Sequence, residues 1–556
     1  MRRLVALTLL WPVIHTGAAA QTTSTAGFTH ADTLRGSNGP ARAWWDATFY
    51  DLHVTVTPAD SSIRGWNGIT YRVLEPGREM QIDLQPPLAV DSVVQDSRTL
   101  DYRRDGDSAY FVELSEPLES GSEHTVTVYY HGRPVVAVRP PWDGGYIWQR
   151  DSLGYDFIAT ANEGLGASAW WPNKDYLADE PDSQRVAITV PDPIIDVSNG
   201  RLRSSVPHPD GTTTYEWFVT EPINNYNVAV NAGRYAHWTE TYAGEAGPLT
   251  MDFFPLAYHY DAARKQWVQA RTMMRCFEHW FGPYPWYADG YKLVEAPHLG
   301  MEHQSAIAYG NQYVNGYLGH DVSGTGLGLQ WDFIVVHESA HEWWGNNITM
   351  KDAADMWIHE SFAAYAESLY TECVTGNEQA GARYVLGTRE RILNDRPIIG
   401  TYGVNHEGSG DMYYKGANML HTLRQVVNDD AKWRDILRGL NRTFRHRTVT
   451  TRQIEDYISG QAGIDLAPFF DEYLRTTKIP VLEYAVEDGT LRYRWANVVP
   501  GFAMPVRVTL SPGRFARIQP TETWQSVPIE LASPEQFRVD PDFYVTARSV
   551  QPPGDV

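Results

Sequence analysis

Basic charge is in short supply. Lys and Arg number 46 against 68 Asp and Glu, leaving a formal charge of −22 at neutral pH. No basic stripe offsets that excess, so a nucleic-acid partner is excluded as a working reading. Cysteine is scarcer still. Cys276 and Cys373 are the only two, too few for a disulfide-built scaffold or a four-thiolate metal site. They could pair in an oxidising compartment or remain isolated buried thiols, and spacing does not choose between these. Beyond residue 20 no run of 18 apolar residues occurs, so no membrane span is expected in the mature chain. What is present is globular in character, with 43% hydrophobic and 21% charged residues. Tryptophan, tyrosine and phenylalanine together number 70, which points to large cores and walled pockets. At roughly 100–200 residues per domain, a chain of 556 should hold about three or four domains.

The first twenty residues read as a secretion signal. Met1-Arg2-Arg3 is basic, Leu4 to Ile14 is apolar, and Ala18-Ala19-Ala20 supplies a small-residue cleavage site. Eleven apolar residues interrupted by Pro12 are too few to span a bilayer. Cleavage would remove Arg2 and Arg3 and take the net charge to −24. The mature protein is therefore expected in a periplasm or outside the cell.

Residues 21–40, rich in Thr, Ser, Ala and Gly, read as a flexible lead-in. From 41 to 240 the alternation is that of strands: Leu52, Val54 and Val56; Val126, Val128 and Tyr130; Val186, Ile188 and Val190. This predicts one large, mostly antiparallel β-domain. Helical periodicity governs 241–478. Helices are expected over Ala262–Trp280, Trp331–Trp344, Trp357–Glu372 and Lys415–Val427, with Gly282-Pro283 and Gly345-Asn346-Asn347 as stops. From 479 to 556 strands return, with a hairpin at Asp488-Gly489. The fold class is thus multidomain α+β: an N-terminal β-domain, a helix-rich middle and a small C-terminal β-sandwich.

His337-Glu338-Ser339-Ala340-His341 falls inside the second expected helix. Residues i and i+4 share a face, so both imidazoles can address one metal ion, with Glu338 beside it as a proton acceptor. Glu360 follows His341 after 18 residues, enough for the chain to turn and return along another helix. Two His and one carboxylate leave a fourth tetrahedral position open, which marks a catalytic rather than a structural zinc site. Imidazole donors favour zinc over magnesium. One Zn2+ per chain is expected, on His337, His341 and Glu360.

With these residues the sequence resembles the gluzincin aminopeptidases of peptidase family M1. Trp344-Gly345-Asn346 and Thr349 extend the match past the second His, and Met301-Glu302 fits the family's Gly-x-Met-Glu-Asn segment. Tyr413-Tyr414-Lys415-Gly416 fits its Tyr-x-Lys-Gly segment, and Trp171-Pro172 with Asp179-Glu180-Pro181 resembles its β-domain. The resemblance spans about residues 45–475. It implies a saddle-like β-domain, a thermolysin-like zinc domain, and an activity that releases amino-terminal residues from peptides with a free amine. The chain ends too soon for the long helical domain that many relatives add.

By the same resemblance Glu338 is the general base and Tyr413 the oxyanion donor, with Tyr414 as its competitor. Glu302 and Glu163 bind the substrate amine, and Gly300 and Met301 line the peptide-binding edge. Departures are Leu299 and His303 for the family's Gly and Asn, Ala161 where relatives often carry Gln, and His359 beside the third ligand. His303 and His359 read as packing or supporting groups rather than ligands. Asn347-Ile348-Thr349 is a glycosylation pattern but lies directly after the metal helix, a poor place for a glycan. Two rival readings share the metal site: a zinc endopeptidase, which needs no amine anchor, and a catalytically silent peptide-binding module.

Overall fold

The computed structural model describes residues 27–551. The expected signal and the first part of the lead-in lie outside the described residues. The alternating runs land where period-two patterning sends them. Leu52, Val54 and Val56 are buried between less buried neighbours on the strand Trp45–Thr57. That strand pairs antiparallel with Ser62–Val73 and parallel with Ser183–Pro191, matching Leu52 to Val186 and Val54 to Ile188. The resulting sheet has eight strands, and this is its one parallel pairing. Trp45, Tyr50, Trp170 and Trp171 fill the core beneath it. A smaller four-stranded sheet contains Asp156–Ala161, whose end faces the helical domain.

Two sequence expectations need correction here. Residues 29–40 are not a flexible lead-in: His30–Gly36 is a helix, closed by a capping box between Thr29 and Asp32. The domain boundary at 240 falls inside the strand Trp238–Gly244, which pairs with Gly247–Phe254 in the sheet of the next domain.

That mixed sheet has five strands, and its edge is the two-residue strand Gly300–Met301 beside Ile307–Tyr309. The helix expected over 262–280 is broken into Tyr260–Gln266 and Gln269–Phe281. Trp267 occupies the break, packed against Trp238, Phe253, Tyr309 and Tyr313, and burying that ring outweighs helix continuity. The metal-motif helix is shorter than expected, Phe333–Ala340, capped by Asp332 on the amides of Ile334 and Val335. A single wide turn, Glu342–Asn346, follows it. Trp357–Thr375 and Tyr414–Val427 match their expected spans closely. After Arg475 the described residues contain strands and one short 3-10 turn. The C-terminal hairpin joins Val481–Glu487 to Thr490–Ala496, with Asp488 and Gly489 both left-handed. No helix among the described residues is long and apolar enough to cross a membrane.

Cys276 and Cys373 form a disulfide with Cα atoms 6.1 Å apart. It staples helix Gln269–Phe281 to Trp357–Thr375, the helix that carries Glu360. In the chain-entropy model a cross-link separated by 97 residues contributes about 4.7 kcal/mol. The double variant Cys276→Ala/Cys373→Ala is expected to lose roughly that much in a denaturant titration. A loss below about 1 kcal/mol would contradict the chain-entropy account.

Glu180, which accepts a hydrogen bond from Asn224 Nδ2 at 3.3 Å, is pushed up to about 7 by burial. Its folded value lies above the unfolded one, so its favourable contribution is complete below about pH 4.3. It is then lost as pH rises through 7. Glu180→Gln should therefore be more stable than the wild type above pH 7, and that advantage should vanish near pH 4 in paired melting curves.

Candidate active site

His337 and His341 stand one turn apart, and each commits Nδ1 away from the site. His337 Nδ1 meets Glu367 Oε1 at 2.8 Å, and His341 Nδ1 meets the Trp344 carbonyl at 2.9 Å. The wide turn after the helix makes the second contact possible: Gly345 has φ +132°, and a Cβ there would press on His341 and His359. Both Nε2 atoms then converge on Glu360 Oε2, at 3.5 and 3.6 Å. Tetrahedral zinc with bonds of about 2.0–2.1 Å needs donor–donor edges of roughly 3.4 Å. Glu360 Oε2 is buried and has no hydrogen-bond donor, so the acceptor aimed at the two imidazoles is the one left unsatisfied. The donors present fit zinc. Glu302, Glu338 and His341 form a second close trio, which shares His341 with the first.

A cavity of about 380 Å³ opens beside this trio, lined by His337, His341, Glu360, Glu338, Tyr413, Gly300, Met301, Glu302 and Glu163. All nine residues singled out in the sequence therefore meet in one place. Burial pushes Glu338 up to about 8, opposed by His337 and reinforced by Glu302 and Glu360. Gly300 lets the edge strand approach, since a Cβ there would lie 2.8 Å from both Glu338 Oε1 and the Ile334 side chain. Glu163 and Glu302 come from different domains and meet as a pair. Burial and the adjacent Glu302 carboxylate hold Glu163 well above the usual carboxylate range. Two carboxyls side by side in a buried wall form a receptor for a cation.

Tyr413 stacks over His337 at 6.1 Å and faces Glu360, Glu163 and Glu302. Tyr414 lines the same cavity, but its ring lies near Glu367 and the Arg391 guanidinium, whereas Tyr413 is the one stacked on His337. His359 Nε2 accepts the Met350 amide at 3.0 Å and is not a ligand. His303 is fully buried and outside the metal trio, and burial pushes it down to about 3. Asn347 and Thr349 are buried, so that glycosylation pattern is closed to a glycan.

Sequence reasoning passed over two supporting groups. Glu367, seven residues beyond Glu360 on the same helix face, orients His337 and accepts the Tyr384 hydroxyl at 2.8 Å; the i+7 spacing was the available signal. Tyr226 donates to Glu302 Oε1 at 3.2 Å, and Asn346 holds the Glu302 carbonyl at 2.9 Å. No motif announces Tyr226, which shares an apolar cluster with Ala161.

Residues 267–473 match the model of the Peptidase family M1 domain. The helical domain is a peptidase family M1 domain. Aminopeptidase N of Lactococcus lactis subsp. lactis is 28% identical over 207 residues, 34% of this chain and 23% of that protein. Aminopeptidase N of Streptomyces lividans is 25% identical over 312 residues, 52% of this chain and 35% of that protein. The chain thus matches about a quarter to a third of those relatives' length. Among solved structures, the M1 zinc metallopeptidase of Deinococcus radiodurans superposes with a TM-score of 0.66 at 22% identity. The match covers 80% of this chain and 96% of that one. A variant of that protein bound to a Tyr-Ser-Ala substrate gives 0.65 at 22% identity, covering 79% and 96%. At this identity the likeness establishes the fold, a β-rich domain followed by the M1 domain.

Losing the carboxylate behind a metal-binding imidazole typically costs ten- to a hundredfold in affinity. Glu367→Ala should weaken zinc binding by about that factor in competition with a chromophoric chelator. Wild-type affinity in this variant would remove Glu367 from the M1 domain's metal-supporting set.

Proposed function

We propose that the chain is a zinc aminopeptidase that removes residues from the free amino end of peptides, with one zinc per chain on His337, His341 and Glu360. The observation that carries this reading is the meeting of Glu163 and Glu302 in the wall of the cavity holding the three donors. An endopeptidase has no use for a buried dicarboxylate, whereas a terminal ammonium would neutralise it and leave room for one residue before the scissile bond. When bound, zinc supplies Lewis acidity, polarising a carbonyl and making water more acidic.

The protein groups do the rest. Glu163 and Glu302 receive the ammonium and fix the first residue, and the strand edge Gly300–Met301 aligns the backbone that follows. Glu338 takes the proton of the attacking water and returns it to the leaving amine. Burial raises its affinity for a proton above that of an ordinary carboxylate, which suits a group that must take one and return it. Tyr413 donates its phenolic hydrogen to the oxygen that gains charge. Its proton is secure, because burial and the surrounding carboxylates hold its value well above the usual phenol range. The signal-like amino-terminal sequence and the Cys276–Cys373 disulfide support export to an oxidising compartment.

Aminoacyl amides with a free amine should be cleaved, N-acetylated counterparts refused, and the activity lost to a chelator and restored by zinc. Glu338→Gln should keep its zinc and lose nearly all turnover. Efficient cleavage of the blocked amides would favour an endopeptidase. Inactivity across every free-amine amide, with zinc bound, would leave the silent binding module.

A further inference from the structure

Glu163 sits on no regular element. It lies in the turn that follows the strand Asp156–Ala161, closed by Gly166 N donating to the Asn162 carbonyl at 2.8 Å and Leu165 N to the Glu163 carbonyl at 2.7 Å. Gly164 and Gly166 both have positive φ, +70° and +89°. A turn with two such glycines has many conformations to lose and needs holding from outside.

The holding groups come from three directions. Gly164 O accepts from Arg35 Nη2 at 2.8 Å and from Asn405 Nδ2 at 3.0 Å, while Leu165 O accepts from Gln85 Nε2 at 2.8 Å. The Arg35 guanidinium lies close enough that a Cβ on Gly166 would sit 2.9 Å from Nη2. Arg35 belongs to the short helix His30–Gly36, which the β-domain grips from beneath. Gln81 Nε2 donates to Leu34 O at 3.1 Å, and buried Arg42 Nη1 donates to the carbonyls of Arg35 and Ser37 at 3.0 Å each. On its other side the same segment meets the M1 domain. The Phe28 ring packs edge-on to His406 at 5.1 Å, and Gly36 lies so close to Val404 and Asn405 that no Cβ would fit. Two residues beyond Asn405, Glu407 lines the active-site cavity.

The two halves of the amine receptor belong to different domains, so their spacing depends on how the domains are tied near Glu163. We infer that Arg35 and Asn405 are positioning residues for Glu163, and that residues 28–37 act as a strap setting the Glu163–Glu302 spacing. This rests on the aminopeptidase reading. A guanidinium from the strap and an amide from the M1 domain, sharing one carbonyl, form a charge-assisted clamp on the turn. Neither side chain needs to touch substrate.

The test uses the full-length zinc-loaded enzyme with leucine p-nitroanilide, and calorimetric binding of the dipeptide Leu-Gly to Glu338→Gln. Arg35→Ala and Asn405→Ala should each raise KM about three- to tenfold, with kcat within about twofold. The same substitutions in Glu338→Gln should weaken Leu-Gly binding by a similar factor. Arg35→Lys, which keeps a cationic donor, should recover most of the loss, a rescue that general damage to folding would not give. Unchanged KM and dipeptide affinity in the Arg35→Ala/Asn405→Ala double variant would overturn the inference. So would a fall in melting temperature and kcat with KM unmoved, or a lysine variant as impaired as alanine. A wild-type enzyme inert toward every free-amine amide would instead defeat the aminopeptidase reading, and the inference with it.

Discussion

Three donor atoms, two imidazole nitrogens and a carboxylate oxygen, converge in a protein interior where an uncompensated charge is costly. Their arrangement depends on what surrounds them. Each imidazole is fixed through its other nitrogen, one by Glu367 and one by the Trp344 carbonyl, so only Nε2 is free to face Glu360. The Trp344 carbonyl reaches its place because Gly345 adopts a backbone conformation that a side chain would resist. Helix Trp357–Thr375 is held in register by burial along most of its length and by the disulfide near its end. The site is a consequence of how two helices are locked together.

Around that centre the cavity gathers carboxylates. Glu163, Glu302, Glu338, Glu360 and Glu367 all line it. Burial and their mutual proximity hold Glu163 and Glu338 above the usual carboxylate range, so bound protons offset part of that charge; in the proposed reading a metal ion at one end and an ammonium at the other offset the rest. The overall acidity of the chain has the same sign, so under the proposed reading long-range attraction and the local carboxylates would act together on a positively charged peptide end. The tyrosines stay protonated in this field, which keeps Tyr413 a donor rather than a competing anion.

The β-domain does more than cover the helices. One of its turns delivers Glu163, and that turn is gripped by Gln85 from its own domain, Asn405 from the other and Arg35 from the segment that precedes both. The active site is thus assembled across a seam. Its precision is that of the seam's hydrogen bonds rather than of any single element.

Much of this was legible in the residues. The i, i+4 histidines and the return of Glu360 specify a metal face because helical geometry is local and periodic, and the period-two runs specify strands for the same reason. The spans Trp357–Thr375 and Tyr414–Val427 and the Asp488-Gly489 hairpin follow from patterns within a few residues of one another. What depended on distant parts of the chain was not legible. The break at Trp267 arises from an aromatic cluster drawn from four other places. Residues 29–40 look like a linker by composition but fold against groups remote in sequence. Cys276 and Cys373 pair because two helices cross beside them. Tyr226 finds Glu302, and Arg35 finds Gly164, across 76 and 129 residues. Sequence alone determined which residues could share a metal-facing helix surface and the class of most major elements, because short-range periodicity encodes both. Tertiary structure decided which carboxylates meet, which of the two tyrosines stacks on His337 and what holds the Glu163 turn, since packing brings those groups into contact.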